Sequence, residues 1–363
     1  MTSVGILFAT FSISSLVGSV IGGALTDRLG RKHIVIFSLV ATSLSSVMMG
    51  LVNSLELFAI VAAIVGLTNI GGPAHQAMVA DLLPEKKRAQ GYGILRVTMN
   101  LSMVIGPAIG GFLAAKSYLL LFITDAVISL VVAVLVFFLI PETKPQKAEG
   151  EKEESVSQSF GGYIRVFRDY IFVAFMLISI LMGMVYMNLN TTLGVFLRDS
   201  FDVSEAGYGS LLSLNAAMVV LLQFPITRKI EKKPPMLMMA AGMVLYAIGF
   251  VMYGFVSTTF FFALAMVILT FGEMFIAPVS QSLVAYFSPE DMRGRYMAVF
   301  GISGAIPFAL GPLLAGLVMD NAPDPRVLWY VVGTLGIIAT IGFLWLHTKM
   351  KETKPVIELE ATI

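Results

Sequence analysis

Eleven long apolar runs, separated by short charged segments, constrain this sequence more than any other feature. Each run is close to the roughly 20 residues that an α-helix needs to cross the ~30 Å hydrocarbon core of a bilayer. Hydrophobic residues make up 57% of the 363 residues and charged residues 13%, against ~25% charged residues in a typical soluble domain. We therefore predict an all-α integral membrane protein with eleven transmembrane helices. The predicted helices are residues 3–25, 34–53, 55–79, 90–115, 118–140, 171–197, 206–227, 236–256, 258–286, 294–318 and 327–346.

The basic residues are distributed unevenly between the two ends of these helices. If the loop that begins at Asp27 faces the cytoplasm, all but four of the 24 Lys and Arg residues fall outside the bilayer on the cytoplasmic side. The four exceptions are Arg96, Lys116, Arg198 and Arg326. Cytoplasmic loops of multi-pass proteins carry an excess of Lys and Arg. The charges therefore predict a multi-pass protein of the cell membrane, with its N-terminus outside and its C-terminus in the cytoplasm.

Two parts of the chain repeat each other at a constant offset of 205 residues. PAHQAMVADLLPEKKR (73–88) matches PVSQSLVAYFSPEDMR (278–293) at seven spaced positions, and GPAIGG (106–111) matches GPLLAG (311–316) at the same offset. Both copies run in the same direction, and parallel repeats are a common plan of secondary transporters. The repeat therefore predicts two helical bundles of related structure.

The repeat also predicts the domain organisation. We expect an N-terminal bundle of five helices at 1–140, a C-terminal bundle of six helices at 171–347 and a cytoplasmic tail at 348–363. Residues 141–170 are a predicted cytoplasmic linker, because their charged part, rich in Lys and Glu, cannot bury enough apolar surface to fold alone. The first bundle lacks a counterpart of the helix at 171–197, so we also expect one further helix before the first residue.

The segment GALTDRLGRK, residues 23–32, resembles the G-x-L-x-D-R-x-G-R-K loop motif of the major facilitator superfamily. The resemblance covers nearly the whole chain and implies the fold of that family, two parallel-repeat bundles, here with eleven of the twelve family helices. It also implies a cytoplasmic gate in which the loop motif meets the N-terminus of the eleventh family helix, near Arg293, and the acidic end of the fourth. The residues of this gate are Gly23, Asp27, Arg28, Gly30, Arg31, Lys32 and Asp81.

A second motif, GPAIGG at 106–111, resembles the fifth-helix motif of proton-linked exporters of that family. Pro107 removes a backbone N–H and kinks a helix, while Gly106, Gly110 and Gly111 allow a neighbouring helix to approach closely. The resemblance implies an antiporter. The alternative is a packing seam of small residues that carries no information on the direction of transport.

Three charged residues lie deep inside the predicted spanning helices, namely Arg96, Asp125 and Glu273. A charge within the bilayer costs on the order of 2.5–3.5 kcal/mol on insertion scales, and such residues usually serve function. Glu273 lies about halfway along its helix, in a setting that resembles the acidic site in the tenth helix of multidrug exporters of the family. Desolvation favours the neutral carboxyl group, so we expect Glu273 to take up and release a proton. The alternative is a glutamate that is hydrogen-bonded across helices for packing.

The predicted proton-coupling and substrate cavity includes four more residues, Arg96, Asn100, Asp125 and Asn188. Together these features predict a secondary active transporter that exports lipophilic or cationic small molecules in exchange for protons by alternating access. Its predicted partners are a small-molecule substrate, protons and the lipid bilayer, with no nucleic acid, and we predict a monomer. The alternatives are a proton-coupled symporter that takes up a metabolite, and a truncated membrane protein that does not transport.

The sequence contains no nucleotide-binding loop, no cluster of metal ligands and no plausible pair of nucleophile and base. We therefore predict that the protein is not an enzyme and that it holds no cofactor and no metal. Since the first helix of the family lines the central cavity, we further expect the chain as given to export poorly. An added N-terminal apolar helix of ~20 residues, long enough to span the bilayer, should then restore export.

Overall fold

A computed structural model describes residues 2–52, 54–144 and 156–360 of the chain. Within those ranges the chain forms fourteen α-helices, one 3₁₀ helix at Glu290–Met292 and no β-strand. The helices are α1 (Thr2–Leu29), α2 (Arg31–Leu51), α3 (Leu55–Thr68), α4 (Gly71–Leu82), α5 (Glu85–Lys116), α6 (Tyr118–Leu139), α7 (Val156–Arg168), α8 (Tyr170–Thr191), α9 (Leu193–Phe201), α10 (Glu205–Ile230), α11 (Pro235–Phe255), α12 (Thr259–Phe287), α13 (Arg293–Asn321) and α14 (Val327–Glu360). The predicted all-α fold is confirmed.

Every predicted apolar run falls on a helix, but two of the runs are interrupted. Residues 55–79 divide into α3 and α4 at Asn69–Ile70, where the sequence continues Gly-Gly-Pro. Pro73 has no N–H to donate to the carbonyl of Asn69, and glycine is a weak helix former, so one helix ends and a second begins. Residues 171–197 divide into α8 and α9 at Thr192. Apolar length alone does not reveal either interruption.

Nine helical stretches of the described residues are long and apolar enough to cross a membrane. They are α2, α3 with α4, α6, α8, α10, α11, α12, the 3₁₀ helix with α13, and α14. The two predicted spans outside this group are residues 3–25 and residues 90–115, the second of which contains Arg96. The count of eleven transmembrane helices therefore stays a prediction.

The described helices group into two compact units. Unit 1 comprises residues 1–85, 105–168 and 284–302, and unit 2 comprises residues 86–104, 169–283 and 303–363. The helices α5 and α13 each contribute one end to each unit. The predicted domain boundaries after residues 140 and 170 stay a prediction.

In unit 1 the main helix pair is α2 against α6. Small residues are buried there, and the Ser43 hydroxyl donates a hydrogen bond of 2.8 Å to the carbonyl of Ala126. Small side chains let two helices approach closely in a membrane, where packing and hydrogen bonds replace the hydrophobic effect. The pair therefore forms a close interface that includes Asp125, next to Ala126 on α6.

In unit 2 the core is aromatic. Trp329 of α14 is fully buried, stacks on Phe250 of α11 with ring centroids 5.9 Å apart, and meets the edge of Phe196 of α9 at 5.0 Å. Offset and edge-to-face arrangements of this kind add roughly 0.5–1.5 kcal/mol per pair beyond the area that they bury. Helix α14 also packs against α8. The aromatic core thereby fixes α8 and α11, which carry Tyr186 and Tyr246 of the site described next.

Candidate functional site

A buried polar cluster surrounds Glu273 in unit 2. Glu273 lies on α12 with only 2% of its surface exposed, and its carboxylate accepts hydrogen bonds from three other helices. The hydroxyl of Tyr186 on α8 donates at 2.7 Å, the amide of Asn215 on α10 donates at 2.7 Å, and the guanidinium of Arg96 on α5 forms an ion pair with it. We call Arg96, Tyr186, Asn215 and Glu273 the Glu273 cluster. The carboxylate that the sequence placed among apolar residues thus has a cationic partner.

The ion pair explains how two charges are tolerated in this part of the fold. The side chains of Arg96 and Glu273 are 19% and 3% exposed, respectively. Removing both charges from water is costly, and the cost is offset only when the pair is close and its remaining hydrogen-bonding groups are satisfied. Tyr186 and Asn215 supply hydrogen bonds to both carboxylate oxygens of Glu273. A change that removes either charge would leave the other buried and unpaired.

A second layer of side chains holds the donors in place. Tyr246 of α11 stacks on Tyr186 with ring centroids 6.1 Å apart. The amide of Asn215 also donates to the hydroxyl of Thr270 at 3.0 Å, and that hydroxyl donates in turn to the carbonyl of Met266. Sequence reasoning missed Tyr186, Asn215, Tyr246 and Thr270. The available signal was Asn215, because an amide inside the apolar run 206–227 requires a hydrogen-bonding partner.

The remaining predicted cavity residues occupy different positions. Asn100 donates to the carbonyl of Arg96 at 3.0 Å, one turn back on the same helix. Asn188 is buried and donates to the carbonyl of Met184 at 2.8 Å, and its own amide oxygen has no partner among the described residues. Asp125 accepts a hydrogen bond from the hydroxyl of Ser46 within unit 1. The structure thus joins Arg96 to Glu273, whereas Asp125 belongs to the α2–α6 interface.

A second charged cluster lies in unit 1, around Asp27 at the end of α1. The carboxylate of Asp27 accepts hydrogen bonds from the first backbone N–H groups of α13, from Gly294 at 2.7 Å and from Arg295 at 3.0 Å. These N–H groups have no partner within the helix, and the positive end of the helix dipole favours an anion there. Asp27 therefore caps α13 from a distant part of the chain.

Two arginines extend this cluster to Asp81 at the end of α4. Arg31 is fully buried and contacts Asp27 at 3.5 Å and Asp81 at 3.0 Å. Its guanidinium also donates to the carbonyl of Glu290 at 2.7 Å. Arg293 forms an ion pair with the other oxygen of Asp81. We call Asp27, Arg31, Asp81 and Arg293 the Asp27 cluster, and its members connect α1, α2, α4 and α13 within unit 1.

The turn between α1 and α2 is covered by residues that follow α6. Gly30 has φ of 108°, which only glycine adopts without strain, and an added Cβ there would collide with the carboxylate of Glu142. Glu142 accepts hydrogen bonds from the backbone N–H of Arg31 at 2.8 Å and from the ring of His33 at 3.0 Å. Burial by itself would raise the pKa of Glu142, but hydrogen bonds from backbone N–H groups, foremost that of Lys144, outweigh it and hold the pKa below its ordinary value. Glu142 thus caps the start of α2 as a carboxylate.

The same residues tie the turn to the Asp27 cluster. The hydroxyl of Thr143 donates to Asp81 at 3.0 Å, and the ammonium group of Lys144 donates to the carbonyl of Arg28 at 2.6 Å. The ammonium group of Lys32 lies 5.2 Å from the ring centroid of Phe137. Residues 141–144, the first part of the predicted linker 141–170, are held against the loop motif by these hydrogen bonds.

Comparison with known proteins agrees with this architecture. The sequence pattern of the Major Facilitator Superfamily matches residues 1–187 and residues 175–362. The chain belongs to the major facilitator superfamily. It is therefore a multi-pass membrane protein of a transporter family and not a member of an enzyme family. The resemblance inferred from GALTDRLGRK is confirmed, and the Asp27 cluster is built on that segment.

Two relatives and one solved structure show what this major facilitator transporter is similar to. A protein of Planococcus maritimus named Na(+), Li(+), K(+)/H(+) antiporter is 27% identical over 96% of this chain and 89% of its own length. The multidrug resistance protein MdtH of Shigella sonnei is 23% identical over 94% of this chain and 84% of its own. The crystal structure of the human organic anion transporter MFSD10 (TETRAN) superimposes with a TM-score of 0.74 at 18% identity, over 93% of this chain and 83% of that one.

The GPAIGG segment of this transporter shows no close helix contact at its described glycines. An added Cβ at Gly106 would meet no atom of the described residues within 4 Å, and one at Gly110 would meet Leu121 at 4.0 Å. The side chain of Pro107 and the surroundings of Gly111 lie outside what the structure describes. In the described structure, Gly106 and Gly110 are therefore not the points of close approach expected from their lack of a side chain.

Proposed function

We propose that this transporter exports lipophilic or cationic small molecules in exchange for protons, and that Glu273 is the carboxylate that carries the proton. The observation that carries the proposal is the ion pair between Arg96 and Glu273, buried among Tyr186 and Asn215. A carboxylate in this setting has two exchangeable states. Charged, it binds Arg96; neutralised by a proton, it releases Arg96 and no longer needs a cation.

The coupling between proton uptake and substrate export follows from competition for one anion, the carboxylate of Glu273. A proton, a cationic substrate and the guanidinium of Arg96 can each neutralise Glu273, so the site accommodates a proton or a substrate at one time, and Arg96 pairs with Glu273 when both are absent. Alternating access would then expose the site to each side of the membrane in turn, by rocking of the proposed bundles at 1–140 and 171–347. The names of the relatives, an antiporter that involves protons and a multidrug resistance protein, support this assignment.

We further propose that the Asp27 cluster holds the cytoplasmic side closed. The cluster links the cap of α13 to the ends of α1 and α4 through buried charges. Breaking such contacts must be offset by substrate or proton binding elsewhere, which is how a closed state is kept dominant in the absence of ligand. We also propose that the protein lies in the cell membrane with its N-terminus outside and its C-terminal tail, 348–363, in the cytoplasm, as the distribution of Lys and Arg predicts.

The experiment measures export of a cationic dye in membrane vesicles under an imposed pH gradient. Glu273→Gln mimics the neutral carboxyl group and should still insert, but gradient-driven export should fall at least about tenfold, since Gln releases no proton. Asp125→Asn is the matched control, because it neutralises another carboxylate of the predicted spanning helices, one that belongs to unit 1. It should export like the parent. If Glu273→Gln exports normally while Asp125→Asn does not, Asp125 is the coupling residue and the proposal fails.

A further inference from the structure

Pro278 leaves a backbone carbonyl of α12 without its usual partner. In an α-helix the N–H of residue 278 would donate to the carbonyl of Met274, and proline has no N–H. The side-chain amide of Gln223 on α10 takes that place, donating to the Met274 carbonyl at 3.0 Å. It also donates to the hydroxyl of Thr227 at 2.8 Å. Because a carbonyl only accepts hydrogen bonds, the nitrogen of the Gln223 amide must face Met274.

This orientation leaves the amide oxygen of Gln223 pointing elsewhere. Gln223 is fully buried, and its oxygen has no donor among the described residues. A buried acceptor without a partner costs about 1–3 kcal/mol. The Nε–H of Arg96 is in the matching situation, a buried donor with no acceptor among the described residues. Gln223 thus offers a buried acceptor and Arg96 a buried donor, and neither atom has a partner in the part of the chain that the structure describes.

The register of α5 against α10 brings these two groups to the same level. Gln90 on α5 donates to Glu231 just after α10, and an added Cβ at Gly93 would lie 3.1 Å from the hydroxyl of Thr227. Residue numbers therefore rise on α5 as they fall on α10, so the helices run antiparallel. Arg96 lies three residues beyond Gly93, a rise of ~4.5 Å, and Gln223 lies four residues before Thr227, ~6 Å in the same direction.

We propose that the amide oxygen of Gln223 is a second acceptor for the guanidinium of Arg96. While Glu273 is a carboxylate, Arg96 is paired with it. When a proton binds to Glu273, Arg96 turns to Gln223 and keeps its own protons and charge throughout. Gln223 thereby stabilises the state in which Glu273 is neutral. The role of this exchange in transport rests on the proposed function, whereas the movement of Arg96 depends only on protonation of Glu273.

The groups that face Glu273 make Arg96 the deciding charge. They are Arg96 from α5, Tyr186 from α8, Asn215 from α10 and Tyr246 from α11. Asn215 does not titrate, and a tyrosine ordinarily titrates near pH 10, above the working range. Among these four groups, the position of Arg96 therefore determines how readily Glu273 takes up a proton.

The test follows the pH at which Glu273 becomes protonated, by pH-difference infrared spectroscopy of its carboxyl band, assigned with Glu273→Gln. Gln223→Leu removes the second acceptor, so Arg96 stays paired with Glu273. Protonation of Glu273 should then require a pH lower by about one unit, because a shift of that size corresponds to the free energy of one hydrogen bond to a charged group. Gln223→Glu offers Arg96 a competing carboxylate, so protonation of Glu273 should occur at a higher pH. Gln281→Leu removes another buried glutamine oxygen without a described partner, and should leave the titration unchanged.

Because Gln223→Leu also deprives the Met274 carbonyl of its donor, the same comparison is made in the Pro278→Ala background, where a backbone N–H is restored. An unshifted titration in Gln223→Leu in both backgrounds, or an equal shift in Gln281→Leu, would overturn the proposal. So would a titration in Gln223→Glu that is unshifted or moves to lower pH. If the expected shifts occur but export does not need Glu273, the proposed function fails and this inference stands. If export needs Glu273 and no shift occurs, this inference alone fails.

Discussion

Gly294 shows how much a single residue can depend on a distant part of the chain. An added Cβ at Gly294 would lie 2.5 Å from the carbonyl oxygen of Gly23 and 2.9 Å from the carboxylate of Asp27. Real Cβ atoms do not approach other atoms this closely, so only glycine lets α13 present its first N–H groups to Asp27. The loop motif indicates that Asp27 matters. The requirement for glycine at position 294 follows only from the packed structure.

Asp27→Asn should open the Asp27 cluster. The substitution replaces one oxygen of a charged acceptor by an amide group that cannot accept from an N–H of α13, and hydrogen bonds to charged groups contribute about 1.5–3 kcal/mol each. Thr26 is fully buried and lies beside Gly294, and the chain has no cysteine, so Thr26→Cys is a reporter without background. We expect the cysteine to react with a thiol reagent at least about tenfold faster when Asp27→Asn is added.

The control for this experiment is Glu290→Gln. Its side chain is 73% exposed and reaches Arg293 at 3.5 Å, so it removes a charge near the cluster without touching Asp27. Labelling should match the parent. Equal labelling rates in Asp27→Asn and the parent would argue against a latch at this position.

At the scale of helices, α12 keeps its continuity past Pro278 because another helix supplies a donor. Proline inside a helix leaves one carbonyl without its hydrogen bond, and in a membrane such groups must be satisfied by neighbouring side chains or backbone. Gln223 on α10 donates the hydrogen bond to the carbonyl of Met274, from which it is separated by 51 positions along the chain. The proline is visible in the sequence, but the donor is not, because the donor depends on which face of α10 packs against α12.

This arrangement predicts a rescue. Gln223→Leu should lower the stability of the protein by roughly 1–3 kcal/mol, the cost of an unsatisfied carbonyl, seen as a lower melting temperature in detergent. Pro278→Ala restores the N–H that the Met274 carbonyl lacks, so the double variant should recover most of the loss. Pro278→Ala alone serves as its reference. An equal destabilisation by Gln223→Leu with and without Pro278 would show that the Met274 carbonyl is not the cause.

At the scale of the whole molecule, the distribution of basic residues predicts the orientation of every helix. Lys233 and Thr258 flank α11, at opposite ends of one span. With Lys233→Cys and Thr258→Cys made singly in this cysteine-free chain, a membrane-impermeant thiol reagent added to intact cells should label only the cysteine at position 258. The cysteine at position 233 should react only after the cells are permeabilised. The reverse pattern would invert the proposed topology.

The sequence by itself determined the membrane environment, the all-α class and the family. Each of these depends on local sequence: the length of the apolar runs indicates a lipid bilayer, and GALTDRLGRK is a contiguous motif. It also singled out Arg96 and Glu273 separately, since a charge in an apolar run is visible locally. Their pairing was decided by the tertiary structure, because the two residues are 177 positions apart. Depth along a helix can be counted from a sequence, but the direction in which a side chain points depends on how the helix is rotated against its neighbours. That rotation is set by packing of whole helix faces, such as the aromatic core around Trp329, and no single segment encodes it.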